Sequence, residues 1–189
     1  MLKKIPPYQI IATVGSFLLV GFVLWAYNFT VDDVPAWTLN VAIFLAALVM
    51  VMTLLGLGQL FADYRKGYLF PLRNATLFLT ILSLIAIPAI FVWEAVVPGT
   101  VQPPTLLLLP VFLFMISRNL FRVKIDNVAL EAKLGFGKPV YIPLFKITSV
   151  QEDDSGITLS RSEGGDIRLL RVFFFAETWA RLRDRLKRL

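Results

Sequence analysis

The stretch VPAWTLNVAIFLAALVMVMTLLGLGQLFA, residues 34–62, runs for 29 residues without one charged side chain. About 20 helical residues, each rising about 1.5 Å, cross the roughly 30 Å of hydrocarbon in a bilayer. This run exceeds that length, so lipid rather than water is its natural solvent. Working outward, residues 5–31, 74–93 and 95–117 are also free of charge. Together they predict four transmembrane helices near residues 8–27, 37–61, 74–96 and 104–121. The fourth is the shortest apolar run, dense only over 105–116 and broken by Pro110. A re-entrant or interfacial segment is the competing reading there.

Composition agrees: 57% of the 189 residues are hydrophobic and 17% charged, with mean hydropathy +0.72, too apolar for a water-soluble domain of this size. The charges that remain are partitioned. Lys3 and Lys4, then Arg65, Lys66 and Arg73, then the 14 basic residues from Arg118 onward account for all 19 cations. With four spans they all fall on one side. The opposite connections, 28–36 and 97–103, hold no cation, and Asp32, Asp33 and Glu94 near them are acidic. Cytoplasmic loops are the ones enriched in Lys and Arg, so both termini are expected in the cytoplasm. That asymmetry also accounts for the net charge of +6 without nucleic acid. Lys3 and Lys4 before an apolar run resemble the start of a secretory signal, but no A-x-A site follows, and an uncleaved anchor is the better reading.

Trp25, Tyr27, Trp37 and Trp93 stand at the expected outer ends of spans, where amphipathic rings favour the headgroup layer. Ala12 with Ser16, and Ala42 with Ala46, are small residues at i, i+4 that allow close helix approach, within one bundle or across a homo-oligomer. Pro88 and Pro110 each remove a helix hydrogen bond and are expected to bend their spans. No span carries an ionisable side chain at its middle, which argues against an ion or proton pathway. Glu94 reads as an interfacial carboxylate, and no inverted repeat of the transporter kind is visible. Cys and His are absent. Thiolate nucleophiles, disulfides, imidazole or thiolate metal sites and histidine acid–base chemistry are thereby excluded.

From residue 121 the texture changes to short apolar runs separated by Asp-Asn, Gly-Phe-Gly-Lys-Pro, Asp-Asp-Ser-Gly and Ser-Glu-Gly-Gly, the punctuation of hairpins. Strands are expected at 121–126, 128–134, 139–142, 147–152, 156–160 and 166–171. In the second, Val128, Leu130, Ala132 and Leu134 alternate as one covered sheet face requires. A helix over 176–189 follows, its apolar stripe Trp179, Leu182, Leu186 and Leu189 flanked by Arg181, Arg183, Arg185, Lys187 and Arg188. Packing of that stripe into an open barrel end is preferred to a position flat on anionic lipid, and opposite faces allow both.

The segment NVALEAKLGFGKPVYIPLFKITSV, residues 127–150, with two hairpins and a terminal helix after it, resembles bacterial pleckstrin-homology-like domains of small membrane proteins. The likeness lies in a strand, a Gly-containing turn and a strand entering Ile142, Pro143, Leu144, Ile147 and Val150. It covers about the last 70 residues. It implies a helical membrane bundle, residues 1–120, followed by a small α+β cytoplasmic domain, residues 121–189, with a curved sheet or partial barrel capped by its helix, in the inner membrane of a bacterium. It implies an interaction or scaffold role rather than catalysis, and a protein partner or the inner leaflet as what is bound. Phosphoinositide binding does not carry over, since the first hairpin holds only Lys133 and Lys138. The candidate lipid- or partner-contacting residues are Arg181, Arg185, Lys187, Arg188, Lys133 and Lys138.

Other motifs fall short of the spacing their chemistry needs. Gly135 to Lys138 lacks P-loop spacing and precedes a strand, so it reads as a turn. Glu152, Asp153 and Asp154 lack EF-hand spacing and read as a solvated turn. Gly56 and Gly58 read as close packing or a helix end. No catalytic residue, cofactor or metal is expected. An immunity protein or accessory subunit of a larger membrane complex is the alternative, with a lipid-acting enzyme or small-solute transporter behind it.

Overall fold

The structure is a computed structural model and describes residues 6–26, 35–96, 103–162 and 164–188. Its elements are α1 (Pro7–Ala26), α2 (Ala36–Arg65), β1 (Leu69–Pro71), α3 (Ala75–Val96), α4 (Pro103–Arg118), β2 (Arg122–Ile125), β3 (Ala129–Lys133), β4 (Val140–Pro143), β5 (Ile147–Asp153), β6 (Gly156–Arg161), β7 (Ile167–Leu170) and α5 (Ala176–Leu186). The readings made of Lys3, Lys4, Tyr27, Asp32, Asp33 and Leu189, and of residues 28–34 and 97–102, lie outside the described residues, as do the side chains of Pro88 and Glu94. Two compact units result: Met1–Gln59 with Thr80–Arg118, and Leu60–Leu79 with Asn119–Leu189.

The first unit is helical. Leu19 and Val23 of α1, Ala42 and Ala46 of α2 and Val111 of α4 form one buried cluster, and Ala12, Val49 and Phe114 form another. The small pairs noted in the sequence are therefore interior, where short side chains let backbones approach: a Cβ on Gly15 would stand 3.0 Å from Val49 Cγ2. Ser16 satisfies its hydroxyl by donating to the Ala12 carbonyl at 2.7 Å. Phe17, Leu18 and Phe44 point outward and are exposed, the inverse of a water-soluble helix. α1 and α2 are long and apolar enough to cross a membrane, over Pro7–Trp25 and Trp37–Arg65, and the apolar stretches Ala75–Ile87 and Leu106–Arg118 are shorter. Pro110 lies inside α4.

The second unit is α+β, with two antiparallel sheets ordered β1-β2-β3-β4 and β5-β6-β7. Its core joins Phe70, Val123, Ile125, Leu130 and Ile142 of the first sheet to Ile157, Leu159 and Leu169 of the second. Trp179, Leu182 and Leu186 close it from α5, so the apolar stripe is spent on the core. β2 to β7 fall within two residues of the strands expected from the turn signals. Val128 and Leu134 are exposed because β3 ends inside them and both sit in turns.

The origin of β1 differs from expectation. The division at residue 120/121 assigned the α2–α3 connection to the helical part, yet it supplies the first strand of the sheet, with Leu69 opposite Lys124, Phe70 opposite Val123 and Pro71 opposite Arg122. Pro71 is tolerated because β1 is an edge strand. The chain is turned from helix to strand by a left-handed cap: Gly67 has φ +73°, Tyr68 N donates to the Asp63 carbonyl at 2.9 Å and Gly67 N to Tyr64 at 3.0 Å. α2 therefore ends at this glycine, not at Gly56, whose absent side chain instead makes room for the Tyr8 ring. Asp63, in its last turn, forms an ion pair with Lys124 of β2.

Candidate interaction surface

The first sheet has two ends that can be told apart by register. Arg122 opposite Lys133 puts the β3–β4 turn, residues 134–139, beside Phe121; Ile125 opposite Leu130 puts the β2–β3 turn at the other end. Four residues of strand separate them, about 13 Å.

The six candidate residues do not form one patch. Lys133 is 7% exposed, and its ammonium donates to Asn119 Oδ1 at 3.4 Å. It belongs to the central strand β3, on the face opposite Leu130 and Ala132, a burial that the alternation of apolar residues could not reveal. Lys138 is exposed in the β3–β4 turn. Arg185 lies at the other end, its guanidinium 5.7 Å above the Tyr68 ring and 3.4 Å from Asn127 Oδ1. Lys187 is held by Glu152 at 2.9 Å, and the same carboxylate takes Arg183 at 3.8 Å. Arg181 and Arg188 are exposed. Arg181 also lines, with Tyr64, Gly67, Leu69, Glu177 and Thr178, a notch of about 10 Å³, room for about one water molecule.

The acidic turn after β5 is internally committed. Asp153 caps it, accepting from the Ser155 hydroxyl at 2.6 Å and from the Ser155 and Gly156 amides at 2.8 Å each, with Arg168 at 2.8 Å. Among the described residues no group of three acidic side chains converges as a metal site requires. The Ser155 hydroxyl first, then the two amides and Arg168, hold the Asp153 carboxyl below its ordinary range. A carboxylate depressed in the folded state stabilises it above the unfolded value near 4, and that contribution is lost as pH falls through the folded value. Urea midpoints of Asp153→Asn and the parent chain are thus expected to differ at neutral pH and to converge as pH falls below the ordinary carboxylate range.

The side chains that sequence reasoning passed over are apolar. Phe136 is 76% exposed and Phe145 83%, with Val128 at 65% and Val172 at 64%. Leu144 N donates to the Val128 carbonyl at 2.9 Å, so Phe145 and Val128 lie together at the β2–β3 end. Phe136 belongs to the opposite end, its ring 5.1 Å from that of Phe121, edge to face. Their signal in the sequence was a large apolar residue inside a turn, where the usual residues are small or polar. Comparison of the chain with protein-family models, with curated proteins and with solved structures finds no match.

Proposed function

We propose that the chain is a four-span protein of a bacterial cytoplasmic membrane, with both termini in the cytoplasm, that holds a pleckstrin-homology-like module at the membrane and offers it to a protein partner. The observation that carries the reading is the origin of β1: a module whose first strand lies between two apolar helices is an integral part of the membrane protein, not a tethered passenger. Two antiparallel sheets closed by a terminal helix support the family likeness. The 22 residues of α3, about 33 Å of helix, support a span there, and the one-sided cations support the orientation.

Val128 and Phe145 are the partner-facing side chains in this reading. They adjoin β4, the outer strand of the first sheet, where Tyr141 is also exposed. Large apolar groups beside an open strand edge suit a protein contact.

The test uses the full chain, since residues 121–189 lack β1. Purified from native membranes, the parent chain is expected to bring down a defined protein that Val128→Asp and Phe145→Asp lose; equal recovery by all three removes the partner surface. In the same membranes a cysteine replacing Asp32 is expected to react from outside, and one replacing Arg188 only after permeabilisation. Reaction of both from one side removes the four-span topology.

A further inference from the structure

We propose that Phe136 in the β3–β4 turn, together with Val172 and Phe173 in the turn after β7, dips into the lipid headgroup region of the leaflet on the cytoplasmic side, forming a second, interfacial anchor for the α+β unit. The inference rests on the membrane reading given above and adds a lipid-binding surface to it.

Phe136 is far in sequence from the adjacent Val172 and Phe173 but is joined to Phe173 by a short path of contacts. Phe136 packs edge to face on Phe121 at 5.1 Å. The Phe121 carbonyl accepts from Leu72 N at 3.1 Å, and Phe121 N donates to Thr76 Oγ1 at 3.4 Å. The next residue, Arg73, donates its amide to the Phe173 carbonyl at 2.7 Å. Phe136, Phe121, Arg73 and Phe173 are therefore one band, and Arg73 and Phe121 adjoin in the chain the start of α3 and the end of α4. α3 starts at Ala75, two residues beyond Arg73, and α4 stops at Arg118, three residues before Phe121.

Exposure and charge identify the occupant. Phe136, Val172 and Phe173 are 76%, 64% and 47% exposed. In water such groups are an unfavourable surface; on a unit whose chain continues directly into apolar helices they meet the headgroup layer, where aromatic rings are favoured. Arg73, Lys138 and Arg171 are exposed on the same segments, and cations beside inserted apolar groups complement anionic headgroups. Phe145 and Val128, equally exposed, lie at the β2–β3 end of the first sheet, away from this band. A lipid surface thus fits the first group and not the second.

The test uses the full chain in nanodiscs of phosphatidylcholine and phosphatidylglycerol. Because the chain has no cysteine, single labels can be placed by Phe136→Cys and Phe173→Cys, with Phe17→Cys on the exposed face of α1 and Phe145→Cys as controls. Each is coupled to an environment-sensitive fluorophore, and quenching by lipids brominated high on the acyl chain is read. Labels at 136 and 173 are expected to be quenched at least about threefold more than the label at 145, since interfacial groups sit about 5–10 Å into the boundary. Quenching at 136 and 173 no greater than at 145, with 17 strongly quenched, overturns the anchor while the membrane reading stands. No quenching at 17 overturns both. Blue-shifted but unquenched labels at 136 and 173 report a dry protein cover and also overturn it.

Discussion

Replacing Phe70 with alanine is expected to destabilise the second unit by about 3–5 kcal/mol, the cost of emptying a buried aromatic site. Phe70 is 2% exposed and packs into the same core as Val123, Ile125 and Leu182. A small domain has about 5–15 kcal/mol in all, so the loss removes a large share of it. The measurement is urea unfolding in detergent followed by Trp179 emission, with Trp25, Trp37 and Trp93 replaced by Phe so that the core tryptophan reports alone. A midpoint unchanged from the parent would mean that β1 contributes nothing to the sheet, contrary to its pairing with β2.

Gly156→Ala is expected to be nearly as damaging. A Cβ there would stand 2.3 Å from the Leu169 carbonyl oxygen, closer than real side chains come, and 3.1 Å from its carbon. The obstacle is backbone of the paired strand, Gly156 lying opposite Leu170, so β6 and β7 must separate to admit it. Overpacking of this kind costs about 1–3 kcal/mol, and a backbone obstacle places it at the upper end. Gly137→Ala is the matched control. Nothing lies within 4 Å of its Cβ and its φ is not positive, so a change within about 0.5 kcal/mol is expected. Equal midpoints for the two variants in the same urea series would refute the packing argument.

The two halves of the fold were legible to different degrees. Helices could be read from length and the absence of charge, since long uninterrupted apolar runs at these positions suit helix. Strands β2 to β7 could be read because each is bounded by Gly, Asn, Asp or Pro, and α5 because Trp179, Leu182 and Leu186 recur at helical spacing. β1 was not legible. Three residues, Leu69, Phe70 and Pro71, are too few to show a period, and the sequence around them reads as an ordinary loop between spans. Its pairing partner is about fifty residues away, a relation that no local pattern encodes.

The candidate surface was legible only as charge. Counting cations found α5 and the first hairpin, but not that Glu152 neutralises Lys187, that Tyr68 sits under Arg185, or that Lys133 is covered. Those outcomes depend on which strands become neighbours. The apolar members, Phe136 and Phe145, were hidden for the opposite reason: in so hydrophobic a chain two more phenylalanines carry no contrast.

The placement of β1 also imposes an order of events on the ribosome. Leu69 to Pro71 emerge first, yet their partner, Arg122 to Lys124, is made only after both intervening helices. At about 5–20 residues per second that is a delay of roughly 3–10 s, during which the strand stays unpaired. If α3 and α4 cross the membrane as proposed, assembly of the sheet becomes a checkpoint on their insertion, because a chain in which they go in wrongly cannot bring β2 back to the waiting β1.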